Sequence, residues 1–226
     1  MKIGLLLSGC GVYDGAEIQE AILSMLAIEE AGATVVGISI NKDQYHVINH
    51  TNGEVTTESR NMLIEAARIT RGIIYDISQI SPADIDALVI PGGFGSAKNF
   101  SSWAFNGPDG TILPEVKLMI VNMINVGKPI AALCVSPILI SLALKDTSLN
   151  PILTLGTTLE KSPYDIANFN EGVKKNGGEF VEIGLNEINV DEKLKIVCSP
   201  CYMQKATMSD IRKSTQLAIN RLIQLI

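Results

Sequence analysis

Short apolar runs alternate with amphipathic segments along most of the chain. Aliphatic or β-branched runs that end in glycine or polar residues predict buried strands. Such strands are expected at 2–7, 34–40, 87–90, 130–133, 152–155, 180–183, 188–190 and 196–197, with a short edge strand at 73–75. Apolar residues at helical spacing predict helices at 16–31, 62–69, 114–126, 137–144 and 208–226, and one from Pro163 to Lys175 with Ser162 as its N-cap.

This alternation predicts a mostly parallel sheet with helices on both faces, an α/β fold. The chain has 226 residues, of which 46% are hydrophobic, and it contains no linker-like segment, so we expect a single domain over residues 1–226. In such sheets the ligand site lies at the carboxyl ends of the strands. The loops that begin at Ser8, Pro91, Cys134 and Gly156 should therefore meet at one site.

Charge and composition narrow the choice of partners and compartment. The net charge is −6 and no basic patch occurs, which argues against nucleic acid as a partner. The first apolar run stops at Leu7, and no run approaches the roughly 18 residues that span a membrane. Four cysteines are low usage, typical of reduced thiols. The sequence thus predicts a cytoplasmic protein that binds neither nucleic acid nor a membrane.

Cys134 is the leading candidate for chemistry. It ends the predicted strand 130–133, and Ser136-Pro137 then opens a helix. Backbone amides at a helix N-terminus carry partial positive charge, which lowers a thiol pKa and can bind an oxyanion. A strand-to-helix turn of this kind is where a nucleophile elbow is found. The alternative is an inert thiol buried at the end of a core strand.

Two further segments offer polar groups near such a site. The Pro91-Gly-Gly-Phe-Gly95 turn could bring backbone amides close to a ligand, or it could be a plain turn; it lacks the pattern of a phosphate-binding loop. Glu17 and Glu20 lie three residues apart on one side of the first helix, where they are either site carboxylates or solvated ones.

Residues that are missing restrict the chemistry. No histidine follows His50, so a base downstream of Cys134 cannot be a histidine; His46 and His50 are expected at the surface. A carboxylate is therefore the better candidate for the base. Cys198 and Cys201 have C-x-x-C spacing but no second pair, so we predict no metal site and treat them as packed thiols.

Several motifs resemble those of a known superfamily. The segments Gly15-Ala-Glu17-x-x-Glu20, Pro91-Gly-Gly93 and Ala131-Ala-Leu-Cys134 are similar to those of the PfpI / class I glutamine amidotransferase-like superfamily. A longer set resembles its ElbB branch: 8–15, 47–50, 60–61, 65–69, 71–72, 91–99 and 127–129. The resemblance covers essentially the whole chain. It implies a flavodoxin-like three-layer sandwich and a homodimer.

The resemblance also implies a set of site residues. Cys134 would be the reactive cysteine, Glu20 the carboxylate beside it, and Gly93 and Val135 the sources of oxyanion-hole amides. Gly92, Cys10 and Lys98 are further candidates for substrate binding, although Cys10 could merely pack there and Lys98 could be a solvated surface residue. Val135 stands where the protease and glyoxalase III branches have histidine, which argues against peptidase activity and efficient glyoxalase III chemistry. The amidotransferases use a histidine downstream of the cysteine, and its absence here argues against glutaminase activity.

The activity implied is a cofactor-independent glyoxalase. Glyoxal or a similar small 2-oxoaldehyde would be converted to the 2-hydroxy acid through a thiohemiacetal on Cys134. The alternative from the same cysteine is a redox-sensing or ligand-binding protein without catalysis.

Overall fold

The computed structural model describes residues 1–226. Its strands are Lys2–Leu6 (β1), Thr34–Ser39 (β2), Ile48–Asn49 (β3), Glu54–Val55 (β4), Tyr75–Asp76 (β5), Ala87–Ile90 (β6), Ile130–Leu133 (β7), Ile152–Leu153 (β8), Glu179–Phe180 (β9), Asn189–Asp191 (β10) and Ile196–Ser199 (β11). Its helices are Ile18–Glu30 (α1), Met62–Ile69 (α2), Phe94–Lys98 (α3), Trp103–Asn106 (α4), Pro114–Asn125 (α5), Pro137–Leu144 (α6), Ile166–Lys175 (α7) and Met208–Gln224 (α8).

Seven strands form the central sheet, in the order β10-β11-β7-β6-β1-β2-β5. All neighbours are parallel except β10 and β11. Every residue of β6 and β7 is buried, as expected where helices cover both faces of a parallel sheet. The α/β prediction of a flavodoxin-like sandwich is confirmed.

The strand order places the ligand crevice. From β1 the chain moves to β2 on one side, and later it returns to β6 on the other side. Such a reversal of strand order opens a crevice at the carboxyl ends of the two strands. The loop after β1 and the turn after β6 border this crevice, and the end of β7 lies next to them.

Three predicted elements differ from the structure. The helix expected from Pro163 begins at Ile166, because Asp165 caps it by accepting the Asn168 amide while the Ser162 hydroxyl donates to the Met203 carbonyl. The strands expected at 152–155 and 180–183 shorten to β8 and β9, which pair with each other in a separate two-stranded sheet.

Helices α3 and α4 were not predicted from the sequence. The glycine-rich turn after β6 runs directly into α3, whose first residue is Phe94. None of the eight helices is both long enough and apolar enough to cross a membrane.

Candidate active site

The turn between β7 and α6 holds Cys134 in a left-handed backbone conformation. Its φ is +56°, an uncommon value for a residue with a side chain. The Cys134 amide donates to the Ser199 carbonyl at 2.9 Å, which anchors the turn to the end of β11. The next polar side chain, Ser136, donates to the Pro91 carbonyl at 2.7 Å and so ties this elbow to the turn after β6. Strain of this kind, held by surrounding contacts, is typical of functional positions.

Glu20 lies beside the sulfur of Cys134. It sits in the first turn of α1 and is completely buried, so it is not a solvated carboxylate. Its Oε2 accepts the Gly92 amide at 2.8 Å, and its Oε1 accepts the Tyr202 amide at 3.2 Å. Two backbone amides from separate segments thus hold the carboxyl group next to the Cys134 thiol.

Gly92 is the point where these groups come closest. A Cβ atom at this position would lie 2.4 Å from Cys134 Cβ, 2.7 Å from Glu20 Oε2 and 2.8 Å from Cys134 Sγ. Those distances leave no room for any side chain. Gly92 therefore packs against the Cys134–Glu20 pair and donates its amide to Glu20. It lies behind the sulfur and does not line the cavity.

Burial controls the protonation of the pair. It raises the pKa of Glu20 from 4.5 to about 8, and the neighbouring Glu17 carboxylate adds to the rise. Burial, followed by the Glu20 charge, also raises the pKa of the Cys134 thiol well above its usual value. The Val135 amide beside the sulfur acts in the opposite direction but is outweighed. The expectation of a thiol pKa lowered by a helix N-terminus is thus reversed, because Cys134 is only 5% exposed.

Above the sulfur lies a cavity of about 480 Å³. Cys134, Gly93 and Val135 line it together with Glu17. The amides of Gly93 and Val135 donate to no oxygen of the chain. The role of these two amides as an oxyanion hole stays a prediction.

Loops that are distant in the sequence form the walls of this cavity. They follow β1, β6, β7 and β11 of the central sheet and include the segment between β8 and α7. The walls carry six aromatic side chains, those of Phe94, Trp103, Phe105, Tyr164, Phe169 and Tyr202.

Other residues considered from the sequence lie away from the cavity. The charged neighbours of Cys10 are Glu65, Arg68 and Asp14, none of which belongs to the Cys134 site. Lys98 donates to the Tyr13 carbonyl at 3.2 Å and lies over the outer side of the Phe94 ring. The structure therefore does not bring Cys10 or Lys98 to the cavity as substrate-binding groups.

His50 makes a hydrogen bond to the loop after β1, and His46 lies near this loop. His50 accepts the Tyr13 amide at 3.2 Å and contacts the Ile48 carbonyl at 3.0 Å. The His46 ring packs edge-on against Tyr45. Neither histidine lines the cavity, which leaves Glu20 as the base nearest to the sulfur. No group of three or more His, Cys, Asp or Glu side chains converges in a way that could hold a metal ion.

Sequence reasoning missed three residues of this site. The Tyr202 amide holds Glu20, the Tyr164 phenol lies close enough to Cys134 for their charges to interact, and Cys201 packs near the same sulfur. In the sequence, Cys201 was considered only as part of a possible metal-binding C-x-x-C pair with Cys198. The parallel pairing of β11 with β7 brings Cys201 and Tyr202 to the end of β7.

No family model matches the chain, but several known proteins are similar to it. The ES1 protein homolog, mitochondrial, of Rattus norvegicus is 37% identical over 99% of this chain and 84% of its own length. Glutamine amidotransferase-like class 1 domain-containing protein 3, mitochondrial, of Homo sapiens is 36% identical over 99% of this chain and 83% of its own length. A crystal structure of an isoprenoid biosynthesis protein with an amidotransferase-like domain from Ehrlichia chaffeensis has a TM-score of 0.89 and 34% identity, covering 100% and 99% of the two chains.

These relatives correct one prediction and establish the family. Both curated proteins are mitochondrial, which contradicts the expectation of a cytoplasmic protein. That expectation rested on the composition of the folded domain, and composition does not report the compartment. The extent and level of identity show that the chain belongs to the family of class I glutamine amidotransferase-like proteins that includes the ES1 proteins.

Proposed function

We propose that this protein is a cofactor-independent glyoxalase of the ElbB branch, which converts a 2-oxoaldehyde to the 2-hydroxy acid. The observation that carries the proposal is the adjacent pair of Cys134 and Glu20 at the base of a cavity that is also lined by Gly93 and Val135, whose amides donate to no oxygen of the chain. A nucleophile, a base held against it and donors for a developing oxyanion are the parts that aldehyde addition needs.

The reaction begins with the Cys134 thiol. Its sulfur bonds to the aldehyde carbon while the thiol proton passes to the Glu20 carboxylate. The former carbonyl oxygen, now an alkoxide, is stabilised by the amides of Gly93 and Val135 and takes the proton back from Glu20 to give the thiohemiacetal, which leaves Glu20 ionised again. Glu20 then removes the hydrogen of this carbon as a proton and returns it to the neighbouring carbon through an enediol. In the same isomerisation the hydroxyl proton moves from the first oxygen to the second, so that a thioester with a 2-hydroxyl group results. Water hydrolyses the resulting thioester, releases the 2-hydroxy acid and restores the thiol.

The raised pKa values suit this sequence of steps. A thiol that stays protonated at rest does not react with every electrophile, and it loses its proton only when Glu20 is ionised. Because the pKa of Glu20 is about 8, the carboxyl group can both accept and donate a proton near neutral pH. Because the pKa of the Cys134 thiol lies above that of Glu20, transfer of the thiol proton to the carboxylate is uphill, and bonding of the sulfur to the aldehyde carbon has to accompany it.

Replacing the nucleophile is the direct test. In Cys134→Ser we expect glycolate or lactate production from glyoxal or methylglyoxal to fall by at least about a hundredfold, since the hydroxyl is a far weaker nucleophile. The matched control is Cys10→Ser, because Cys10 is a free thiol away from the cavity. Equal rates for wild type and Cys134→Ser, or an equal loss in both variants, would refute the proposal.

Tyr164 should assist as a hydrogen-bond donor to the substrate. Burial and the Cys134 charge raise its pKa, so the phenol stays protonated while it faces the cavity. For Tyr164→Phe we expect kcat to fall about tenfold to a hundredfold with little change in KM. Tyr202→Phe is the control, since the Tyr202 hydroxyl already donates to Gln19. A loss of the same size in both variants would show that Tyr164 has no special role.

A non-catalytic redox sensor built on Cys134 is the alternative, and it has less support. Oxidation by peroxide proceeds through the thiolate and requires access to the sulfur. Cys134 is buried, and its pKa is raised rather than lowered. The cavity above it is better suited to an organic ligand than to peroxide alone.

A further inference from the structure

The cavity above Cys134 is much larger than glyoxal, a molecule with four heavy atoms. Its volume of about 480 Å³ falls in the range of pockets that enclose whole organic ligands, roughly 300–1,000 Å³. We infer that the substrate carries a neutral, apolar substituent about the size of a phenyl or cyclohexyl ring, and that this substituent occupies the aromatic part of the cavity. The inference rests on the proposed function for the chemistry at Cys134.

Two aromatic pairs form part of the wall. The rings of Trp103 and Phe169 are parallel, with centroids 6.3 Å apart and an interplanar angle of 2°. The rings of Phe94 and Tyr164 meet edge to face, with centroids 5.9 Å apart and an angle of 70°. Flat apolar faces of this kind bind another ring through dispersion and burial of apolar surface.

The wall is supported by the protein behind it. Trp103 is only 6% exposed, so its ring is held by the residues around it. A Cβ atom on Gly172 of α7 would lie 2.8 Å from the Trp103 ring, which shows how closely the helix backbone packs against it. A wall that is held in this way loses little conformational entropy when it binds an apolar group.

The charges around the cavity select against anions. Its only ionisable carboxylic acids are Glu17 and Asp165, and no lysine, arginine or histidine lines it. A phosphorylated or carboxylated aldehyde would have no cation to pair with and would approach like charges. The site is therefore matched to neutral substrates.

Substrate comparison tests this directly. We expect kcat/KM for phenylglyoxal to exceed that for methylglyoxal and for glyoxal by at least about tenfold. It should exceed that for phenylglyoxal bearing a para-carboxylate by a similar factor. Each value is divided by the rate of the same aldehyde with a free alkyl thiol, which removes differences in intrinsic reactivity. Equal normalised values across the series would overturn the inference.

A change of charge at the rim makes the test sharper. Asn168 is exposed on α7 and lines the cavity, whereas the adjacent Ala167 is exposed and does not. Asn168→Lys should raise the preference for the para-carboxylate over phenylglyoxal by about twofold to fivefold, and Ala167→Lys should leave it unchanged. Both variants add the same charge to the first turn of one helix, so effects on folding are matched. An equal shift in both would count against this cavity as the binding site.

Binding without chemistry separates this inference from the proposed function. Trp103 is the single tryptophan of the chain, so its fluorescence reports on this cavity alone. In Cys134→Ser, cyclohexyl methyl ketone should change that fluorescence saturably, and acetone at the same concentration should not. Glyoxal turnover that depends on Cys134 without such a change would overturn the inference and keep the proposed function. A saturable change without turnover of any aldehyde would support the apolar site and overturn the proposed function.

Discussion

Glu20→Gln should make the protein more stable in alkaline solution while it removes activity. Glu20 is buried and its pKa is about 8 in the folded protein, against 4.5 for an ordinary glutamate. Between these values the unfolded chain has lost a proton that the folded protein still holds, so wild-type stability falls as pH rises from about 4.5 to about 8. The difference between these two pKa values corresponds to at most about 5 kcal/mol in the free energy of unfolding.

Glutamine cannot ionise, but its NH2 group cannot accept one of the two backbone amides that the Glu20 oxygens accept, which lowers the stability of the variant by the same amount at every pH. We therefore expect the free energy of unfolding of the variant to change less between pH 5 and pH 9 than that of the wild type. Relative to the wild type, the stability of the variant should rise by several kcal/mol over this pH range. Urea titrations at the two pH values measure this difference. Glyoxalase activity should be lost together with the pH dependence, since no base remains beside Cys134.

The control for this result is Glu29→Gln, which removes an exposed carboxylate from the same helix. It should leave the pH dependence of stability unchanged. If Glu20→Gln and the wild type lost stability in parallel between pH 5 and pH 9, Glu20 would be ionised in the folded protein at neutral pH. The account of a shared proton would then be wrong.

Gly92→Ala should destroy the geometry of the site with a single added methyl group. That methyl would overlap Cys134 Cβ, at 2.4 Å, and press on the Glu20 carboxyl group. Overpacking of a rigid interior destabilises proteins by about 1–3 kcal/mol. A displacement of about 1 Å between reacting groups can lower activity a hundredfold. We expect both effects, measured as the midpoint of urea unfolding and as kcat for the aldehyde.

Gly32→Ala is the control that separates a loss of stability from a loss of catalytic activity. Gly32 follows α1 with a φ of +74° and has nothing within 4 Å of its missing side chain. Alanine there should cost up to about 1 kcal/mol through backbone conformation alone, with normal activity. If Gly92→Ala lost stability yet retained its kcat, the contact between residue 92 and the Cys134–Glu20 pair would have no catalytic importance.

The sequence predicted the position of Cys134 better than its properties. A strand followed by Cys-Val-Ser-Pro identifies an elbow because both neighbouring elements can be recognised from local patterns. The same local pattern suggested a lowered thiol pKa. The structure reverses this, because burial depends on how the segments after β6 and β11 cover the sulfur, and neither segment is close to it in sequence.

Glu20 and Tyr164 also show that local sequence patterns do not report burial by distant segments. Helical spacing placed Glu17 and Glu20 on one side of α1 but could not decide whether they were solvated. The structure shows that Glu20 is buried against Gly92 and Tyr202. Tyr164 gave no signal, since it lies in an irregular segment whose position depends on contacts with residues around 203.

By itself, the sequence determined the fold class and the reactive elbow. Alternating strands and helices are encoded locally, by residues within a few positions of one another. Only the tertiary structure decided the protonation of the pair and the size and apolar character of the cavity. Those properties come from segments that are far apart in the chain and meet where the strand order reverses between β1 and β6. Burial at such a meeting point is a property of the whole fold, and no local pattern reports it.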